Sequence, residues 1–375
     1  MKLVVVGPIY PYRGGIAHYN AQLCRELIKD NHIIDIFSFQ RQYPGWLYPG
    51  KSDKEPTQPQ SKLDVEYSLD PVYPWTWFRT ASVVNKKNPD AVLIHWWTTF
   101  WAPAYWVFAK LIRRNGVKII FLIHNVTPHE PLPWDNLLAR NVLKLGNVQI
   151  VQTQNEQERL HKLVPKANSI LSPHPIYNQF NYERMLSKSE ARKQIKVNPD
   201  RPTLLFFGIV RPYKGLKYAI EAISILESKG TRVQLVVAGE FWEDIIEYEK
   251  MLINLDLCEQ VFLYDRYIPN EEVGLFYSAA DIFIAPYIDG TQSGSVKIAL
   301  SFNLPIVITD KISDQILKEA MNVQVIPSKD SHALASAIER SLASDQVAKE
   351  IVKSEDVSWN KLIGYIEEAT YANNR

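Results

Sequence analysis

Short runs that are apolar at nearly every position recur along the chain, separated by longer segments with helical spacing. In the first half these runs are Leu3 to Val6, Ile33 to Phe39, Ala91 to His95, Lys118 to Ile123, Val148 to Thr153 and Ser169 to Leu171. In the second they are Thr203 to Phe207, Arg232 to Ala238, Val261 to Tyr264, Ile282 to Ala285, Leu304 to Thr309 and Val323 to Ile326. Continuous apolar character, without strict alternation, marks strands covered on both faces, as in a parallel sheet. Between them Ile16 to Lys29, with apolar Ala17, Ala21, Leu23, Leu27 and Ile28, reads as a helix, as do Leu216 to Ser228, Val296 to Phe302 and the amphipathic Asp356 to Tyr371. Two successive β/α series predict an α/β protein of two Rossmann-like domains. The alternation breaks at the proline-rich Ser172 to Tyr177 and the polar Lys188 to Asp200, which places the domains at residues 1–175 and 198–350. Gln40 to Leu63, with several Pro and Gly, is expected to be a long irregular surface loop.

Four polar inserts follow predicted strands, where open parallel sheets bind ligands. The most informative is Asp289-Gly290-Thr291-Gln292-Ser293-Gly294-Ser295, between the strand ending at Ala285 and the helix starting near Val296. A helix N-terminus offers unpaired N–H groups and partial positive charge, Gly290 and Gly294 admit a ligand close to the backbone, and Thr291, Gln292 and Ser293 add neutral donors. Together they suggest a diphosphate cradle; a plain turn capped by Ser293 or Ser295 is the competing reading. The second insert is Gly208 to Leu216, whose Arg211 can fork onto two phosphate oxygens and whose Lys214 supplies a point charge. The third brings Gly14-Gly15 to the start of the first helix, with His18 one turn in. The fourth puts His124 at the end of the strand Lys118 to Ile123, well placed for substrate contact or for a structural hydrogen bond.

Composition narrows the choices. With 375 residues the chain exceeds one ordinary core, and a net charge of +1 gives no electrostatic case for nucleic acid. Cys24 and Cys258 lack ligand-like spacing, so neither a disulfide scaffold nor a zinc site is expected, and a cytoplasmic setting fits. The N-terminal apolar run ends at Gly7-Pro8, too short for a signal peptide. Nothing reaches the length of a membrane span, but Trp96 to Arg114 combines Trp96, Trp97, Phe100, Trp101, Tyr105 and Trp106 with Lys110, Arg113 and Arg114. That mixture suits either a helix lying on a membrane, with Trp97 and Trp101 gripping a lipid-linked acceptor, or an aromatic core helix. No Gly-x-Gly-x-x-Gly follows the first strand and no Asp-x-Asp occurs, so a single nicotinamide site and the commonest metal-held diphosphate are both disfavoured.

Gly14-Gly15 with His18, His124-Asn125-Val126-Thr127-Pro128-His129-Glu130, Arg211 to Gly215, Gly239-Glu240, and Ala280-Asp281 through Thr291-Gln292-Ser293-Gly294 to Pro305-Ile306-Val307 together resemble bacterial family 4 glycosyltransferases of the GT-B fold. The resemblance runs over nearly the whole chain. It implies two Rossmann-like domains facing each other across a cleft, with the helix 356–371 packing back on the first. It also implies retaining transfer of a sugar from a nucleotide-sugar donor to a glycan or lipid-linked acceptor, with no metal or other cofactor. Surface polysaccharide or glycoconjugate synthesis at the inner membrane face would be the setting. Residue by residue, Arg211 and Lys214 match the cationic pair on the donor diphosphate, His124 the histidine near the transferred sugar, and Gly15 the glycine loop at the reaction centre. Glu240 and Thr291 to Gly294 fall in the donor loops, and Gly14 and His18 on the acceptor side. The resemblance further implies front-face attack by the acceptor hydroxyl, with the donor phosphate taking its proton.

Two departures stand out. The family's paired glutamates fall at Gly290 and Ile298, neither acidic, and Asp289 reaches the first position only by a one-residue shift. Arg211 also lies three residues before Lys214, closer than in the common form, and Thr-Gln-Ser-Gly replaces the first glutamate. A nucleotide-sugar epimerase or phosphorylase, or a non-catalytic relative that binds nucleotide-sugar, are the alternative readings.

Overall fold

The computed structural model describes residues 1–45, 52–55, 63–128, 132–175, 186–290, 293–313, 317–318, 320–343 and 358–372. The chain divides into two compact units, Met1–Pro175 joined by Ser354–Arg375, and Ile176–Lys353.

The first unit runs β1 (Lys2–Val6), α1 (Gly15–Lys29), β2 (Ile33–Phe39), β3 (Val65–Leu69), α2 (Pro74–Lys87), β4 (Ala91–Trp96), α3 (Ala102–Arg113), β5 (Lys118–Ile123), α4 (Asp135–Leu143), β6 (Val148–Val151), α5 (Gln154–Leu163) and β7 (Ser169–Leu171). The second runs α6 (Lys188–Gln194), β8 (Thr203–Phe207), α7 (Leu216–Ser228), β9 (Gln234–Ala238), α8 (Ile245–Asn254), β10 (Val261–Tyr264), α9 (Asn270–Ala279), β11 (Ile282–Ala285), α10 (Gly294–Ser301), β12 (Ile306–Thr309), β13 (Val323–Ile326) and α11 (Ser331–Ala343). The chain then returns to the first unit with α12 (Trp359–Tyr371), which packs on α1 and β5. The start of the expected helix at 356–357 lies outside the described residues.

The first sheet has seven strands in the order β3-β2-β1-β4-β5-β6-β7, and the second six in the order β10-β9-β8-β11-β12-β13. Every ladder is parallel. The central strands are buried along their length, as continuous apolar runs require: β4 and β9 expose no residue. In each sheet the first strand stays in the middle while the chain fills one side and then jumps to the other. The crevice that this reversal opens lies beyond the carboxyl ends of β1 and β4 in one unit, and of β8 and β11 in the other.

Two elements escaped the sequence pattern. Strand β3 is a sheet edge, half exposed, so Val65-Glu66-Tyr67-Ser68-Leu69 carries too few apolar residues to register. Helix α2 opens with Pro74 in its first turn, an arrangement that suits proline's fixed φ but conceals the helical period behind a turn signal.

Asp281, in the stretch that anchors the second half, is structural. It accepts from the Thr203 amide at 2.7 Å and pairs with Lys188 at 2.8 Å and with the buried guanidinium of Arg192, tying α6 to the foot of β8 and β11.

Candidate active site

In the second unit, the loops that leave β8 and β11 meet at the switch point. After β8 the chain turns at Gly208, with φ +103°, passes Arg211, makes one 3-10 turn over Pro212–Lys214 and enters α7 through Gly215, with φ +71°. A Cβ on Gly215 would stand 2.1 Å from the carbonyl oxygen of Pro286, the first residue after β11. The contact continues in the Ile288 amide, which donates to the Tyr213 carbonyl at 2.7 Å. Glycine at 215 therefore lets the cation loop lie flat on the loop after β11. Gly239 does the same for the loop after β9: its Cβ would reach the Gly208 oxygen at 2.2 Å.

Aromatic faces hold both cations. The Arg211 guanidinium lies between Tyr213 and Trp242, 5.6 and 5.7 Å from their centroids. The Lys214 Nζ lies 5.4 Å from the Tyr287 ring centroid and 3.1 Å from the position a Gly208 Cβ would take. Burial disfavours the Lys214 ammonium, but the neighbouring Tyr287 and Tyr213 hydroxyls outweigh it and hold its pKa above the ordinary lysine value. Burial likewise opposes ionisation of Tyr287, yet Lys214 and the hydroxyls of Ser293 and Ser295 bring its pKa below the ordinary tyrosine value. The Tyr287 hydroxyl is 3.2 Å from Ser293 Oγ, which is 2.7 Å from Ser295 Oγ, so a row of hydroxyls runs from Lys214 to the start of α10. Among the described residues no side chain caps that helix, and its first N–H groups carry partial positive charge.

Of the remaining donor candidates, Glu240 is buried and its carbonyl accepts from the Val210 amide at 2.9 Å. Asp289 is exposed and its carboxylate is taken up at 2.8 Å by the Gly290 amide. Ser293 and Gly294 begin α10. Thr291, Gln292, His129 and Glu130 lie outside the described residues. Ile298, where the family's second glutamate falls, is buried on α10.

In the first unit, Gly14 opens α1 with φ +112°, and a Cβ on either Gly14 or Gly15 would meet nothing within 4 Å. No packing contact demands glycine at 15. His18 is partly buried one turn on, its pKa lowered to about 4 by burial and by Arg25. His124 at the end of β5 is buried, with its Nε2 3.0 Å from His95 Nδ1 and the two rings stacked. Tyr19 on α1 closes the cluster, placing its ring 5.1 Å from His124, 4.8 Å from His174 and 5.0 Å from Trp359. Burial, with His174 nearby, lowers the His124 pKa to about 3. His124 is therefore a neutral imidazole at physiological pH, a hydrogen-bonding group and not a counter-charge.

Burial divides the tryptophan segment. Trp101 is 0% exposed, stacks on Phe39 at 4.1 Å and spends its indole N–H on the Gln42 carbonyl at 3.2 Å. Trp97 is nearly as buried and donates to Tyr43 at 2.9 Å. Both indoles belong to the core of the first unit, where they pin the segment after β2 onto the turn that precedes α3. Of the six aromatics only Trp106 is exposed.

Sequence reasoning missed Tyr287, Trp242, Tyr19 and His95. The first two were detectable as aromatics two and four residues past the ends of β11 and β9. The others form contacts that only the fold assembles. Among the described residues no group of three or more His, Cys, Asp or Glu is placed to hold a metal ion, and no helix is long and apolar enough to cross a membrane.

Two parallel α/β units, each with a crevice at its switch point, form the architecture in which ligands bind beyond the carboxyl ends of the strands, and the second places Arg211 and Lys214 beside the start of α10. Residues 13–176 match the model of Glycosyltransferase Family 4 and residues 201–344 that of Glycosyl transferases group 1, which makes the chain a glycosyltransferase. No curated protein sequence matches it. Among solved structures it is similar to a sucrose-phosphate synthase from Thermosynechococcus elongatus, at 17% identity and TM-score 0.72 over 99% of both chains. It is also similar to a glycosyltransferase from Rickettsia africae, at 16% identity and TM-score 0.73 over 99% of both chains. HepE of Anabaena in complex with UDP and glucose superposes at 13% identity and TM-score 0.71 over all of both chains. These likenesses identify the fold as GT-B.

Proposed function

We propose that the chain is a retaining family 4 enzyme that moves a sugar from a nucleotide-sugar donor to a glycan or lipid-linked acceptor in surface glycoconjugate synthesis. The observation that carries this reading is the pair Arg211 and Lys214, held on aromatic faces beside the uncapped start of α10. Negative charge grows on the leaving diphosphate as the glycosidic bond breaks, and two fixed cations plus helix N–H groups stabilise it without reorganising. No metal takes part in the proposed step. The unhindered backbone at Gly14 and Gly15 admits substrate, and neutral His124 hydrogen-bonds to the transferred sugar. The acceptor hydroxyl attacks from the face the diphosphate leaves, and its proton passes to a donor phosphate oxygen. Exposed Asp289, on the loop after β11, is the carboxylate nearest in sequence to the missing first glutamate.

The test is a thermal-shift and hydrolysis screen against uridine, guanosine and adenosine diphosphate sugars, without added metal and again with chelator. One donor should stabilise the protein and be slowly hydrolysed whether or not chelator is present. Arg211→Ala or Lys214→Ala should lower turnover by orders of magnitude with the melting temperature little changed. A protein that binds no donor would favour the non-catalytic alternative, and full activity in either variant would refute the assigned diphosphate site.

A further inference from the structure

Helices α2, α3 and α4 lie side by side on one face of the first sheet, their inner residues forming a common core with it. Each follows a parallel strand, so all three run the same way, with their first turns at the carboxyl edge of the sheet. Their outer surfaces share one design. At the leading ends stand exposed apolar side chains: Trp75, 64% exposed, and Phe78, 54%, on α2; Trp106, 37%, on α3; Trp134, 56%, and Leu137, 61%, on α4. Further along come exposed cations: Arg79 and Lys86 on α2, Lys110 and Arg113 on α3, Arg140 and Lys144 at the end of α4.

The charge is one-sided. In a chain with 42 Lys and Arg against 41 Asp and Glu, residues 71–88, 99–118 and 132–147 contain a single acid, Asp135. It is buried, and it accepts from the Thr99 hydroxyl and the Leu132 amide. Among the described residues none of those six exposed cations has a carboxylate within ion-pair distance. Large apolar side chains at one end of a layer and cations without carboxylate partners behind them match a lipid interface, where indole and phenyl rings enter the headgroup boundary and cations meet anionic phosphates.

We propose that the α2–α3–α4 face docks the protein on a bilayer carrying anionic headgroups, with Trp75, Phe78, Trp134 and Leu137 entering the interface. This surface is separate from the buried Trp97 and Trp101, and the inference stands independently of the transferase reading. It would bring the carboxyl edge of the first sheet, with Gly14, Gly15 and His124, close to the membrane.

The test is co-flotation of the full chain with vesicles of phosphatidylcholine mixed with phosphatidylglycerol, and of phosphatidylcholine alone. The wild type should float with the mixed vesicles far better than with the neutral ones. Each cation at an anionic surface is worth about fivefold in partitioning, so neutralising three of them in Arg113→Gln/Arg140→Gln/Lys144→Gln should cost about a hundredfold. The exposed triple variant Trp75→Ala/Phe78→Ala/Trp134→Ala should lose roughly tenfold or more with its melting temperature unchanged. Wild-type protein that stays in solution with both vesicle types overturns the proposal. So does an apolar triple variant that floats as well as wild type, because the surface would then be a polyanion site with no membrane insertion.

Discussion

The ammonium of Lys214 sits over the ring of Tyr287, 5.4 Å from its centroid, and couples the loop after β8 to the loop after β11. These loops come from strands 78 residues apart in the chain by their paired positions, Leu204 and Ile282, and are brought together only by the sheet reversal. Tyr287 hands the coupling on to Ser293, so the cation and the start of α10 are positioned by one side chain.

Tyr287→Phe keeps the ring and removes the hydroxyl. One hydrogen bond of ordinary strength, about 0.5–1.5 kcal/mol, separates the two proteins, so donor affinity should fall about two- to tenfold. Titration calorimetry with the nucleoside diphosphate that the donor screen identifies would measure it. Unchanged affinity together with an unchanged fold would mean that the hydroxyl row does not position the diphosphate site.

Gly215→Ala should be more damaging than its size suggests. The added methyl would fall 2.1 Å from the Pro286 oxygen, at a φ of +71° that alanine resists. Backbone has to move at a junction carrying both Lys214 and Tyr287. We expect a loss of stability of about 1–3 kcal/mol with a larger loss of donor binding. Ala at Gly15, where a Cβ meets nothing within 4 Å, should leave stability close to wild type. Equal melting temperatures for Gly215→Ala and wild type, read by circular dichroism, would refute the first expectation.

The contrast between these glycines shows what a sequence can disclose. Twelve of the thirteen strands were legible because burial on both faces imposes apolar runs, and the cations Arg211 and Lys214 because they follow such a run. The edge strand β3 obeys no such constraint and left no run to find. Nor does sequence separate a tryptophan in the core from one at the surface. Trp96 to Trp106 read as a membrane candidate by composition alone, while Trp75 and Trp134, which are exposed, each follow a proline and read as part of a turn. The residues that hold the cations, Tyr287 and Trp242, act through contacts between loops that are distant in the chain.

Trp101→Ala separates core from acceptor platform. Truncating a fully buried indole should cost about 3–5 kcal/mol, enough to lower the melting temperature of the first unit by roughly five to ten degrees. Residual enzyme, assayed well below that temperature, should keep its acceptor KM. A stable variant with a raised KM would restore Trp101 to the acceptor site.

His124 supplies an acid limit on stability. Its folded pKa of about 3 lies below the ordinary histidine value of 6.5, so the unfolded chain binds a proton that the native cluster refuses. The contribution is therefore complete above about pH 6.5 and is lost as pH falls through that value toward 3. Between pH 7 and pH 5 this one group should withdraw about 2 kcal/mol, and His95, also held well below its ordinary value by burial and by His124, adds to the slope. His124→Gln retains a hydrogen-bonding partner for His95 without a titrating group. Melting curves of the two proteins at pH 7 and pH 5 should show a smaller acid-induced fall for the variant by several degrees, whatever its absolute stability. Parallel curves would mean that the cluster takes up protons without opening, and that His124 meets substrate as a cation after all.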